Sequence, residues 1–192
     1  MRRRLFLTLP LALLGACKPA PVALRNTDLT GASFARGLEL SDHHGHPRSL
    51  ADFRGKAVVV FFGYTSCPDI CPTMLARLAE VMKVMGDEAG RVQVLFVTLD
   101  PERDSAERLK AFVPWFHPSF LGLRGDAGQI KTVTEEFRVF SARKEVGGEL
   151  GYVLDHSSGA YVFDPAGHLR LYVKDTASVE DIVADLRQLL RG

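Results

Sequence analysis

Cys67 and Cys71 have three residues between them in the run Phe62-Gly63-Tyr64-Thr65-Ser66-Cys67-Pro68-Asp69-Ile70-Cys71-Pro72. An apolar strand-like stretch leads into this run and a helix-like pattern leads out of it. A thiol at a helix N-terminus feels the positive end of the helix dipole, which favours thiolate over thiol. Three chemistries are then open. A structural disulfide would close a very short loop and add little stability. Thiol–disulfide exchange fits the placement, although the usual redox motif has two residues between its cysteines and here Pro68, Asp69 and Ile70 intervene. A metal site with two thiolates needs at least one further ligand.

Six histidines are the candidates for that ligand. His43, His44 and His46 cluster around Gly45-His46-Pro47, which reads as a solvated polar turn. His117 has no partner visible in sequence, and His168 follows the turn Asp164-Pro165-Ala166-Gly167 at an exposed place. His156 lies in Tyr152-Val153-Leu154-Asp155-His156-Ser157, just ahead of the strand pattern at Ala160.

The elements that must bring these residues together follow from hydrophobic periodicity. Ala57 to Phe62 and Val92 to Val97 are continuous apolar, β-branched runs, the pattern of strands buried on both faces. Between them, Met74, Leu75, Leu78, Ala79, Met82 and Met85 share one face of a helix expected over Pro72 to Met85, with Gly86 placed to end it. This is a β-α-β unit with a right-handed crossover. Leu38 to Leu40 alternates as a short strand. Asp104, with Glu107 three residues on, reads as the cap of a second helix, and Gly128 to Phe137 holds a weaker one. Ala160 to Phe163 and Leu169 to Val173 form a hairpin, and Ser178 caps a last helix carrying Ile182, Val183, Leu186 and Leu190. The order β-α-β, helix, β-β-α predicts an α/β chain with a thioredoxin-like fold, a central mixed sheet with flanking helices. In that arrangement the connection holding His156 passes beside the cysteine loop, which makes it the best placed of the six histidines.

Composition bounds the rest. The chain has 192 residues, 46% hydrophobic and 24% charged, with a net charge of +1. That suits one globular domain, excludes a disordered chain, and offers no basic face for nucleic acid. Three cysteines are too few for a disulfide-stapled mini-protein, and the odd count leaves one unpaired. Met1 to Ala16 has Arg2, Arg3 and Arg4 followed by an apolar stretch from Leu5, too short to span a bilayer. Leu14-Gly15-Ala16-Cys17 resembles the lipobox of bacterial lipoproteins. The expected organisation is a lipoprotein-type signal peptide over 1–16, a lipidated N-terminus at Cys17 with a tether over 17–33, and one domain over 34–192. Loss of the three arginines would leave 21 basic residues against 23 acidic ones.

The Cys-Pro-Asp-Ile-Cys-Pro run resembles the Sco/SenC family of copper-binding proteins. So do Leu99-Asp100-Pro101-Glu102-Arg103-Asp104 and Tyr152-x-x-Asp155-His156-Ser157 followed by Tyr161-Val162-Phe163-Asp164-Pro165-x-Gly167. The resemblance implies a thioredoxin fold put to metal binding, with Cys67, Cys71 and His156 as ligands of copper, Cu(I) or Cu(II). It implies a metallochaperone that helps assemble the dinuclear copper centre of cytochrome c oxidase. Its partners would be the copper-receiving oxidase subunit, a thiol reductant and another copper carrier. Asp155 would orient His156, and Asp69 would lie in solvent or attract cations. The protein would sit outside the cytoplasm, on the periplasmic face of a bacterial membrane. The alternative is an extracytoplasmic thiol–disulfide oxidoreductase working through the same two cysteines.

Overall fold

The computed structural model describes residues 23–148 and 151–191. In chain order the first elements are β1 (Thr27–Asp28), β2 (Glu39–Asp42), β3 (Pro47–Ser49), β4 (Ala57–Gly63), α1 (Ile70–Met85), β5 (Val92–Thr98) and α2 (Ala106–Phe116). Then come β6 (Leu121–Arg124), α3 (Ala127–Glu136), β7 (Ser141–Gly147), β8 (Gly151–His156), β9 (Ala160–Phe163), β10 (Leu169–Val173) and α4 (Val179–Leu190).

β4 and β5 are buried at every position, which is why both read as unbroken apolar runs. They pair in parallel, from Ala57 opposite Val92 to Gly63 opposite Thr98. The eight-stranded sheet runs β1-β10-β9-β4-β5-β6-β2-β3, and β7-β8 forms a separate hairpin. β9 runs antiparallel to β4 while β6 runs parallel to β5, so the sheet is mixed. The pleat sorts the core onto two faces. Ala57, Val59 and Phe61 pack with α1, α2 and α4, and Val58, Val60 and Phe62 pack with α3 and the segment from Ala35 to Phe53. The expected thioredoxin-like fold is the one observed.

Several local expectations shift. α1 begins at Ile70, two residues before Pro72. Proline costs nothing at that third helical position, because the first N–H groups of a helix lack intrahelical partners anyway. The cap of α2 is Ser105, which accepts from Arg108 N at 3.2 Å. Asp104 is instead wholly buried, drawn inward by two threonine hydroxyls. The His43 turn is only partly solvated. His43 is buried because its Nδ1 accepts from Gly122 N at 3.0 Å, while His44 and His46 are exposed. β6 and the β7–β8 hairpin are elements that the periodicity does not announce.

The signal peptide expected over 1–16, the lipid-bearing Cys17 and the first part of the tether lie outside the described residues. From Ala23 on, the segment expected as tether lies against the domain. Asp185 on α4 is 1% exposed, and its carboxylate accepts from Arg25 N (2.9 Å), Asn26 N (2.8 Å) and Asn26 Nδ2 (2.8 Å). Leu24 packs on the α1 face of the core, and β1 pairs with β10. The reason is electrostatic: a buried carboxylate must find donors, and this segment supplies them. Among the described residues no helix is long and apolar enough to cross a membrane.

Deleting residues 1–33 should therefore strip Asp185 of these donors and destabilise the domain by about 3–5 kcal/mol, read as a lower urea midpoint. An unchanged midpoint would show that the segment adds nothing to the fold.

Candidate metal centre

The site forms where β4 runs out and α1 begins. Cys67 N donates to Tyr64 O at 3.2 Å, which turns the loop back on itself. Cys71, in the first turn of α1, is fully buried, and its backbone N–H points at Cys67 Sγ at 3.5 Å. Both cysteines are free thiols. Room for the Cys71 sulfur depends on Gly63. A Cβ at that position would lie 2.6 Å from Cys71 Sγ and 2.9 Å from the Phe96 ring.

His156 arrives from the other side, as the last residue of β8. Its Nε2 is 3.5 Å from Cys71 Sγ, and its Nδ1 is 2.8 Å from Ser157 O. A carbonyl only accepts, so Nδ1 carries the proton and the Nε2 lone pair faces the sulfurs. The ligand atoms of Cys67, Cys71 and His156 all lie within 4.8 Å of one another, and theirs is the one such group of three among the described residues.

Positioning His156 takes a second layer of side chains. Tyr64 sets its ring edge-on to His156 at 5.8 Å, and its hydroxyl oxygen accepts from Leu154 N at 3.2 Å. Tyr152 donates from its hydroxyl to Asp100 Oδ1 at 2.8 Å. Its ring lies 3.6 Å from the guanidinium carbons of both Arg103 and Arg143, which must occupy opposite faces. Arg103 also pairs with Asp100 and donates to Tyr152 O at 3.0 Å. The Asp100–Asp104 stretch thus grips β8 from below and the cysteine loop from the side. Asp104 accepts from Thr65 N (3.1 Å), Thr65 Oγ1 (2.6 Å) and Thr98 Oγ1 (2.6 Å). Arg108 donates to Thr65 Oγ1 at 2.6 Å and to Ser66 Oγ at 3.0 Å, beside Cys67.

The two sulfurs differ sharply in acidity. A hydrogen bond from the Cys71 thiol outweighs burial and, with the N–H groups of Asp69 and Cys71, lowers Cys67 to about 3. The same hydrogen bond to Cys67, then burial and the negative Cys67 sulfur, push Cys71 well up. Cys67 is the thiolate and Cys71 holds the shared proton. A soft cation reaching both sulfurs displaces that proton.

Of the residues singled out in sequence, Cys67, Cys71 and His156 come together. Asp155 does not join them. Alternation along β8 leaves it exposed, and a backbone carbonyl takes the place beside Nδ1. Asp69 is exposed at the cap of α1. His117 pairs with Ser119, and His168 lies beside Asp164. The roles of Gly63, Tyr64, Tyr152, Arg103 and Asp104 are not evident from residue type. Only the period-2 spacing of Tyr152, Leu154 and His156 hints that one face of β8 is at work.

Comparisons place these features among known proteins. A family model described as SCO1/SenC matches residues 25–191. The mitochondrial "Protein SCO2 homolog" of Bos taurus is 39% identical over 167 residues, covering 85% of this chain and 63% of that protein. The chain thus spans somewhat less than two thirds of that relative's length. ScoI of Bradyrhizobium japonicum, solved with copper bound, superposes with a TM-score of 0.73 at 33% identity, over 80% of this chain and 97% of that one. A SCO1/SenC family lipoprotein from Bacillus anthracis gives 0.68 at 28% identity, over 87% and 99%.

Gly63→Ala should cost about 1–3 kcal/mol through overpacking and weaken metal binding, measured by urea unfolding and metal titration; an unaltered protein would mean the cradle is slack. At pH 5 iodoacetamide should label Cys67 and spare Cys71, because the Cys67 thiolate persists down to about 3. Mass spectrometry showing both thiols inert until pH 8 would contradict that asymmetry.

Proposed function

The chain belongs to the SCO1/SenC family, and on that premise we propose that it carries copper on Cys67, Cys71 and His156. It hands the metal to the subunit of cytochrome c oxidase that receives the dinuclear copper centre. The observation that carries this reading is the convergence of two sulfurs and an imidazole nitrogen whose lone pair is turned toward them. Two soft donors and one imidazole suit Cu(I), and the same set accommodates Cu(II). Zn²⁺ with a water would also satisfy the residue types; the family membership and the copper-bound relatives favour copper. Cys67 and His156 keep partial exposure, so three protein ligands leave an open side through which cargo passes to a receiving protein.

Loading requires the dithiol. In an oxidising compartment the pair drifts to the disulfide, so the carrier needs a thiol reductant, and another copper carrier supplies the metal. The acidity of Cys67 gives a second reading some support. A thiolate beside a thiol attacks a partner's disulfide, and the second sulfur then resolves the mixed disulfide, releasing the partner as a dithiol. His156 separates the two, since exchange does not need an imidazole.

The protein is placed outside the cytoplasm and held by acyl chains on Cys17 at the periplasmic face of a bacterial membrane. The lipobox-like sequence and the Bacillus lipoprotein relative support that placement.

His156→Ala should weaken copper binding by tenfold or more, about 1.4 kcal/mol at least, while Cys67–Cys71 still oxidises. Unchanged stoichiometry and affinity would remove His156 from the ligand set. Reduced protein should bind one copper and protein oxidised across Cys67–Cys71 none, by metal analysis; full binding by the oxidised form would overturn the site.

A further inference from the structure

Tyr64 is the first residue after β4 and is 1% exposed, between the strand that carries His156 and the cysteine loop. Its hydroxyl oxygen accepts from Leu154 N at 3.2 Å, two residues before His156. Its ring stands edge-on to the His156 imidazole at 5.8 Å. Its backbone carbonyl takes the Cys67 N–H at 3.2 Å, which folds Cys67 back over it. Burial holds the phenol above the ordinary tyrosine value, so the oxygen keeps its proton. The oxygen already accepts from Leu154, and its own proton goes to a side-chain hydrogen bond with Cys67.

The donors to Cys67 do not all survive metal loading. The Cys71 thiol gives up its proton once a cation reaches both sulfurs. The N–H groups of Asp69 and Cys71 remain, and so does the Tyr64 hydroxyl. A hydroxyl that accepts one hydrogen bond donates a stronger one, so the Leu154 N–H strengthens the bond to sulfur. A donor aimed at sulfur stabilises the state in which that sulfur carries more negative charge. In the thiol pair that state is the Cys67 thiolate, since the sulfurs of a disulfide are uncharged. With copper, two thiolates and a neutral imidazole leave one negative charge on the Cu(I) site and none on the Cu(II) site. Hydrogen bonding around a cysteine sulfur is a known lever on the potential of copper–thiolate centres.

We propose that the Tyr64 hydroxyl, held by Leu154 N–H and donating to Cys67 Sγ, biases the site toward its electron-rich forms: dithiol over disulfide, and Cu(I) over Cu(II). The first preference stands on the thiols alone. The second rests on the copper reading of the site. Both act against an oxidising compartment, which pulls the pair toward the disulfide and so out of use as a carrier. One side chain thus joins the histidine strand to the exposed sulfur and sets which redox state the two hold.

Tyr64→Phe removes the hydroxyl and keeps the ring against His156. Metal-free protein is equilibrated with mixtures of reduced and oxidised dithiothreitol. As the Cys67–Cys71 bond forms, two electrons, the Cys71 proton and one proton from solvent pass to the dithiothreitol disulfide, giving its dithiol. The variant should shift this equilibrium about three- to tenfold toward the protein disulfide. The ratio of Cu(I) to Cu(II) affinity should fall by a similar factor, and the sulfur-to-Cu(II) absorption should move to longer wavelength. Tyr64→3-fluorotyrosine, a stronger donor of nearly the same shape, should move all three the other way. An unshifted thiol equilibrium in both variants would overturn the proposal. A hydroxyl that merely holds β8 would act through the imidazole, so the thiol shift should persist in a His156→Ala background. Its disappearance there would overturn direct action on the sulfur. An unchanged copper ratio beside a shifted thiol equilibrium would overturn the second preference. Wild type that takes up no copper would sink the copper reading and leave the thiol equilibrium to decide for or against the hydroxyl.

Discussion

Cys71 holds a fully buried sulfur where the carboxyl end of β4 gives way to α1, and it has room there only because residue 63 has no side chain. Its hydrogen bond to Cys67, together with the lack of water to solvate a charge there, keeps the proton on this sulfur. The asymmetry of the pair, the closeness of His156 Nε2 and the tilt of the loop all follow from that packing. The thiolate on Cys67 is tolerable because it is half-exposed, with N–H groups of the first turn of α1 aimed at it.

The imidazole depends on a different kind of support. β8 belongs to a hairpin outside the main sheet, so no ladder of backbone hydrogen bonds to β4 or β9 sets its height over the cysteines. Side chains do the work. Tyr64 catches the Leu154 N–H, and Arg103 with Asp100 clamps Tyr152. The Asp100–Asp104 stretch is therefore structural in its contacts and functional in its effect. It fixes the distance between a thiol loop and a histidine 85 residues apart in sequence.

How much of this was readable depends on whether each cause is local. β4, β5 and α1 announce themselves because burial on two faces, or on one helical face, writes an apolar pattern into neighbouring residues. β7 is exposed at all seven positions and writes no such pattern; β6 is short and interrupted by Gly122. His43 passes for a surface residue because its partner, Gly122 N, is 79 residues away. In the site, the cysteine pair was legible from spacing, and His156 from the expected fold and the family resemblance. The group that holds its Nδ1 was not, because a backbone carbonyl has no residue type to read. Asp155 looked suitable by type and is turned away by the alternation of its own strand.

The latch between Asp185 and the residues at Arg25 and Asn26 joins positions 160 apart. Contacts of such sequence separation form late, since long loops must close before they reward the chain. A polypeptide is made N-terminus first, so the segment at Arg25 and Asn26 exists long before α4 does. It stays without its carboxylate partner until that helix forms. The buried carboxylate thus makes docking of the N-terminal segment wait on α4: the two extremes of the domain close together or not at all.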